Sequence, residues 1–183
     1  MELGEVVDQV LAAPLVTTME VKVVAIDGCG GSGKSTIAER LARRLGSPPI
    51  IHTDDFASWD QPIEWGQRFL DQVLLPLSRG EHPRFQRYDW ARRQLGEWVD
   101  IDPGQLLVIE GVSSTRRAFT PYISFSIWVE ASAEVRLARG LERDGLEMLG
   151  QWRSWMAEED HYVADEAPQL RADVVVSGES ATT

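Results

Sequence analysis

Short apolar runs recur along the chain at Val21 to Ile26, Pro49 to His52, Leu106 to Ile109, Phe125 to Val129 and Asp173 to Val176. Runs of this length, bounded by polar or glycine-containing segments, predict strands buried on both faces of a parallel sheet. Between them the apolar spacing becomes helical. Ser35 to Leu45 is apolar at Ile37, Ala38, Leu41, Ala42 and Leu45 and is stopped by Gly46, and Gln67 to Leu77 and Ala133 to Leu141 share the spacing. Leu3 to Leu11, apolar at Leu3, Val6, Val7, Val10 and Leu11, predicts a short amphipathic helix before the first strand. Strands alternating with helices predict an α/β fold. Its five-stranded, mainly parallel sheet would carry helices on both faces in three layers, with right-handed crossovers and ligands at the carboxyl ends of the strands.

The loop between the first strand and the helix after it reads Gly28-Cys29-Gly30-Gly31-Ser32-Gly33-Lys34-Ser35-Thr36. This is a complete G-x-x-x-x-G-K-S phosphate loop, and it makes the predicted architecture a P-loop NTPase fold. The glycines let successive N–H groups curl around phosphate oxygens, Lys34 reaches the β and γ phosphates, and the Ser35 hydroxyl ligates magnesium. ATP and Mg2+ are the cofactors expected. Gly28, Gly30 and Gly33 also satisfy G-x-G-x-x-G, with Asp54 placed where a dinucleotide fold has its ribose-binding acid. That reading leaves Lys34-Ser35 unexplained, and 183 residues are few for two mononucleotide halves and a substrate domain.

Composition narrows the class. A chain of this length predicts one domain, 1–183, with an N-terminal helical extension over 1–18, a lid region over 144–162 and a flexible tail over 178–183. The formal charge of −11 argues against a nucleic-acid-binding surface, whereas a small phosphorylated ligand needs only a local positive pocket. The single Cys29 allows no intrachain disulfide. No basic segment precedes an apolar stretch at the N-terminus and no run has membrane-spanning length, so a cytoplasmic protein without a membrane partner is expected. His52, His82 and His161 lack metal-ligand spacing, so zinc is not predicted.

Other residues carry chemistry beside the loop. His52-Thr53-Asp54-Asp55-Phe56 puts two acids at the end of the second strand, where an acceptor would sit. Phosphoryl transfer needs the acceptor hydroxyl oriented and its proton accepted, and Asp54 is the residue expected to do so. Asp55 would ligand magnesium through water or cap the turn, and both acids would otherwise be solvated loop residues. Glu110, closing the third strand, is a second magnesium-site candidate or a loop cap. Arg136, Arg139 and Arg143 share a helical stripe that would close over ATP, with Arg143 foremost; a solvated face paired with Glu134 or Glu142 is the alternative. Arg153 is a weaker lid candidate. Seven Trp is a high number, and Phe56, Trp59, Trp65, Phe85, Tyr88 and Trp90 cluster between the second and third strands, for packing or for stacking on a planar base.

In order along the chain, the phosphate loop, Asp54-Asp55-Phe56, Asp60-Gln61-Pro62, Tyr88-Asp89-Trp90, Ile109-Glu110-Gly111 and the Arg136 to Asp144 segment resemble landmarks of the uridine/cytidine kinase group within the phosphoribulokinase-like P-loop kinases. The resemblance spans about residues 20–178. It implies Asp54 as catalytic base, with Lys34 and Arg143 in the catalytic machinery, and Ser35, Glu110 and Asp54 around magnesium. Gly28, Gly30, Gly31, Ser32, Gly33, Lys34, Ser35, Thr36 and Arg139 would hold ATP. Asp55, Phe56, Asp60, Tyr88 and Arg93 would line the acceptor site, with Asp60 on ribose hydroxyls and Tyr88 against the base. Ala91-Arg92-Arg93 stands where the family has a base-reading His, and the lid lacks the usual paired Arg. The expected activity is transfer of the γ-phosphoryl group of ATP to a primary hydroxyl, that of uridine or cytidine foremost. A kinase for a non-nucleoside alcohol and a regulatory nucleotide-binding protein are the alternatives.

Overall fold

The computed structural model describes residues 2–59 and 61–179. The strands are β1 (Lys22–Asp27), β2 (Ile50–His52), β3 (Arg84–Asp89), β4 (Gln94–Asp100), β5 (Leu106–Glu110), β6 (Phe125–Glu130) and β7 (Val174–Ser177). A five-stranded sheet runs in the order β2-β5-β1-β6-β7, and all its pairings are parallel. The helices are α1 (Leu3–Ala12), α2 (Lys34–Arg44), α3 (Gly66–Phe69), α4 (Leu75–Ser78), α5 (Ala133–Asp144), α6 (Leu149–Glu166) and α7 (Pro168–Arg171).

Alternation along the strands divides the core into two layers. Val24 and Ile26 of β1 join Val108, Ile127 and Val176 beneath Val6 and Val10 of α1 and Ile37 and Leu41 of α2. Val23, Ile51, Leu107 and Ile109 face the other way, onto Phe69, Val73, Leu74, Leu77 and Phe119. Each large side chain buried in these layers contributes about 1.5–3 kcal/mol. The expected P-loop architecture with helices on both faces is therefore present.

Three features differ from the expectation. The helix expected over 67–77 is interrupted: a π-helical turn, Leu70–Leu74, joins α3 to α4. Pro76, in the first turn of α4, lacks the N–H that the carbonyl four residues earlier would accept, which favours a wider turn there. A second sheet, the antiparallel hairpin β3-β4, fills the stretch before β5. Its β4 strand is mostly exposed and so shows no clean apolar alternation, while Phe85 of β3 plugs into the core with only 1% exposure. The region expected to be a lid contains the 18-residue helix α6, packed against the phosphate loop. No described helix is long and apolar enough to cross a membrane. The tail expected over 178–183 lies outside the described residues beyond Glu179, as does Asp60.

Candidate active site

The phosphate loop leaves the carboxyl end of β1 and runs into α2, whose first turn begins at Lys34, so the amino end of that helix faces the loop. Gly31 and Gly33 have φ of 75° and 93°. At Gly31 a side chain would also meet the backbone of Arg136, so both conformation and space demand glycine. Asp27, the last residue of β1, is fully buried and fastens the loop's start. Its Oδ1 accepts from Gly28 N (2.7 Å) and Ser113 N (2.9 Å), and its Oδ2 from Thr115 N (2.9 Å), Thr115 Oγ1 (2.6 Å) and Tyr162 Oη (2.6 Å).

The adjacency of β2, β5 and β1 brings the expected acids to one edge. Cα partners His52 and Ile26 flank Glu110 in register. Ser35 Oγ donates to Glu110 Oε1 at 3.1 Å, and His52 Nδ1 lies 2.7 Å from Glu110 Oε2. Burial opposes the Glu110 charge, but the His52 hydrogen bond and the Lys34 charge outweigh it and hold its carboxyl below the ordinary range. Ionised oxygen beside a serine hydroxyl is the donor chemistry magnesium prefers. Among the described residues no group of three or more His, Cys, Asp or Glu forms a protein-only metal cage. The fit is to an ion held by phosphates, water and one or two side chains.

Asp54 lies on the 3-10 turn Thr53–Asp55 that follows β2, and its carbonyl accepts from Trp90 Nε1 at 3.0 Å. Asp55 pairs with Arg87 at 2.9 Å, and burial raises its carboxyl pKa despite that partner. Phe56 sits at 4% exposure in the core, among Trp65, Phe69 and Phe85, so its ring packs rather than facing a pocket. Tyr88 is 9% exposed with its ring edge-on to Trp90, while the Arg93 guanidinium lies 4.9 Å from the Trp59 ring.

The arginine stripe splits into different duties. Arg136 is buried against Glu159 at 3.1 Å. Arg139 donates to Gly31 O (3.3 Å) and Gly178 O (3.1 Å), tying the phosphate loop to the exit of β7. Arg143 pairs with Asp144 at 2.7 Å, lies over the Trp152 ring, and feels the charge of Asp54. Arg153, on α6, is exposed.

Sequence reasoning missed several residues here. Glu159 of α6 accepts from Gly30 N at 2.8 Å across a separation of 129 residues, and Trp152 packs over Gly30 and Gly140. Burial keeps the Glu159 carboxyl above its ordinary range despite Gly30, Lys34 and Arg136. Burial and the neighbouring Asp27 push the Tyr162 hydroxyl far upward, so it remains a donor. Helical spacing of Trp152, Glu159 and Tyr162 was the available signal. From Trp152 the rings continue through Trp155, Trp59 and Trp90 to Tyr88, with successive centroids 5.2–5.9 Å apart, bridging α6 to the hairpin.

A family model described as AAA domain, AAA_18, matches residues 24–163. The uridine kinase of Halobacterium salinarum is 26% identical over 141 residues, 68% of this chain and 63% of that protein, so the match spans less than two thirds of that relative. The uridine kinase of Proteus mirabilis is 26% identical over 150 residues, 70% of each chain. Among solved structures, one described as a possible uridine kinase from Bacillus stearothermophilus superposes with a TM-score of 0.70 at 21% identity, covering 94% of this chain and 96% of that one. A protein described as a fructose transport system kinase from Silicibacter sp. superposes with a TM-score of 0.73 at 20% identity, covering 96% and 99%. Fold and phosphate loop agree with these matches: the chain is similar to uridine kinases, has the P-loop fold, and belongs to the AAA-domain family.

Proposed function

We propose that this P-loop kinase transfers the γ-phosphoryl group of ATP to the primary hydroxyl of a small molecule, with the 5′-hydroxyl of uridine or cytidine as the first acceptor to test. The observation that carries the reading is the hydrogen bond between Ser35 of the phosphate loop and Glu110, one strand away from the turn bearing Asp54. Lys34 and the loop N–H groups would hold the triphosphate, and Asp54 would accept the proton of the attacking hydroxyl. Ser35 and Glu110 would hold magnesium, which when bound neutralises charge on the β and γ oxygens. Arg143, once released from Asp144, would neutralise charge on the phosphoryl group in transfer.

A non-nucleoside alcohol is the second reading, favoured by the burial of Phe56 and Tyr88, the rings expected near a base. ADP release from ATP and magnesium, measured against a panel of nucleosides and other alcohols, separates the two. Acceptor-dependent turnover that collapses in Asp54→Asn is the expected result. Release of ADP that no acceptor accelerates, in a protein that binds ATP, would instead favour a regulatory nucleotide switch.

A further inference from the structure

The phosphate loop carries an oxyanion of its own. Glu159 Oε1 accepts from Gly30 N at 2.8 Å, and Glu159 Oε2 pairs with Arg136 Nη1 at 3.1 Å. Gly30 makes room for this carboxylate, since a side chain there would meet Glu159 Oε1 at 2.9 Å and the Trp152 ring. Lys34, whose ammonium reaches the β and γ phosphates in a loop of this type, also acts on the Glu159 charge. A loop amide, a guanidinium and an ammonium are the donors that a phosphoryl oxygen seeks.

Three features separate this carboxylate from a fixed strut. Asp27 accepts from Gly28, Ser113, Thr115 and Tyr162, whereas Glu159 is held by Gly30 and Arg136. Burial keeps the Glu159 carboxyl above its ordinary range, so these partners do not fully offset the loss of water around its charge. The donors also exceed what a carboxylate uses: the Arg136 side chain is only 9% exposed, and its Nε is buried without a hydrogen-bond partner among the described residues. A phosphoryl group, with more charge and one more acceptor oxygen, suits such a donor set better. Tyr162, one turn further along α6, holds the helix to Asp27 at 2.6 Å, so the Glu159 side chain can withdraw while its helix stays.

We infer that the Glu159 carboxylate competes with the terminal phosphates of the nucleotide for the oxyanion position formed by Gly30 N–H and Arg136, and so sets how strongly the loop prefers a triphosphate to a monophosphate. The inference rests on the proposed use of the loop to hold ATP, and no acceptor enters it. Dissociation constants of the full chain for β,γ-imido-ATP and for AMP, each with magnesium, are measured by calorimetry. Glu159→Gln keeps a carbonyl acceptor for Gly30 and Arg136 and removes only the charge. The ratio of the AMP constant to the triphosphate constant should rise about tenfold, an ordinary size for coupling between two sites, through tighter binding of the triphosphate. Glu159→Met, uncharged and of similar length, should move the ratio in the same direction and carries the test if the Gln variant does not melt cooperatively. A side chain that merely braced the loop would affect both nucleotides alike. An unchanged or lowered ratio therefore overturns the inference and leaves the kinase reading standing. Failure of the wild-type chain to bind either nucleotide overturns the kinase reading and the inference with it.

Discussion

Asp27 shows how much one side chain holds in place. Replacing it with Ala strands the N–H groups of Gly28, Ser113 and Thr115 and the Tyr162 hydroxyl in the interior. A loss of about 3–5 kcal/mol is expected, comparable to breaking a buried charged pair, and is read as a fall of roughly 10 °C or more in Tm. Asp54→Asn should leave stability and ATP affinity intact and lower kcat by about 10²–10⁴, measured by ADP release with a saturating acceptor. Glu159 gives a pH signature. Its carboxyl is raised by burial, so the folded chain holds this proton more tightly than the unfolded chain, whose carboxyl titrates near 4.5. The Glu159 contribution to stability therefore declines as pH rises from about 4.5 through the raised value. The Tm advantage of wild type over Glu159→Gln should be larger at pH 4.5 than at pH 7. At this scale the sequence singles out Lys34, Ser35 and Glu110 from local pattern, and the fold brings Ser35 and Glu110 within hydrogen-bond reach. Sequence reading misses Asp27, which looks like an ordinary strand end, and His52, whose partner Glu110 lies 58 residues away.

Among elements, α6 departs most from expectation. Its sequence carries exposed acids on one side and Trp152, Glu159 and Tyr162 on the other, and only the folded chain shows that the second side closes over the phosphate loop. Gly140 of α5 lies directly under the Trp152 indole. Helix propensity alone would make Gly140→Ala stabilising by about 1 kcal/mol. The added methyl has no room there, so overpacking of about 1–3 kcal/mol should reverse the sign and lower Tm. Strands β1, β5 and β6 were readable because burial on both faces leaves unbroken apolar runs. The β3-β4 hairpin was not, since β4 is largely solvated and the hairpin is anchored by few residues such as Phe85.

For the whole molecule, the P-loop fold follows from the alternating elements, while a cavity beside α6 depends on Trp59, residues 61–64 and α6 meeting, which no local pattern encodes. Saturation of the phosphate loop should be visible globally. At 100 times its dissociation constant, ATP with magnesium should add about 2.7 kcal/mol, a Tm rise of roughly 5–10 °C that Lys34→Ala reduces sharply. The tie from Arg139 to Gly178 has a further consequence during synthesis. The phosphate loop leaves the ribosome before the segments that brace it, at Arg139, Glu159, Tyr162 and Gly178. A nascent chain arrested before β7 should therefore gain little protection from proteolysis when nucleotide is added, and competence to bind should arrive only once β7 has emerged.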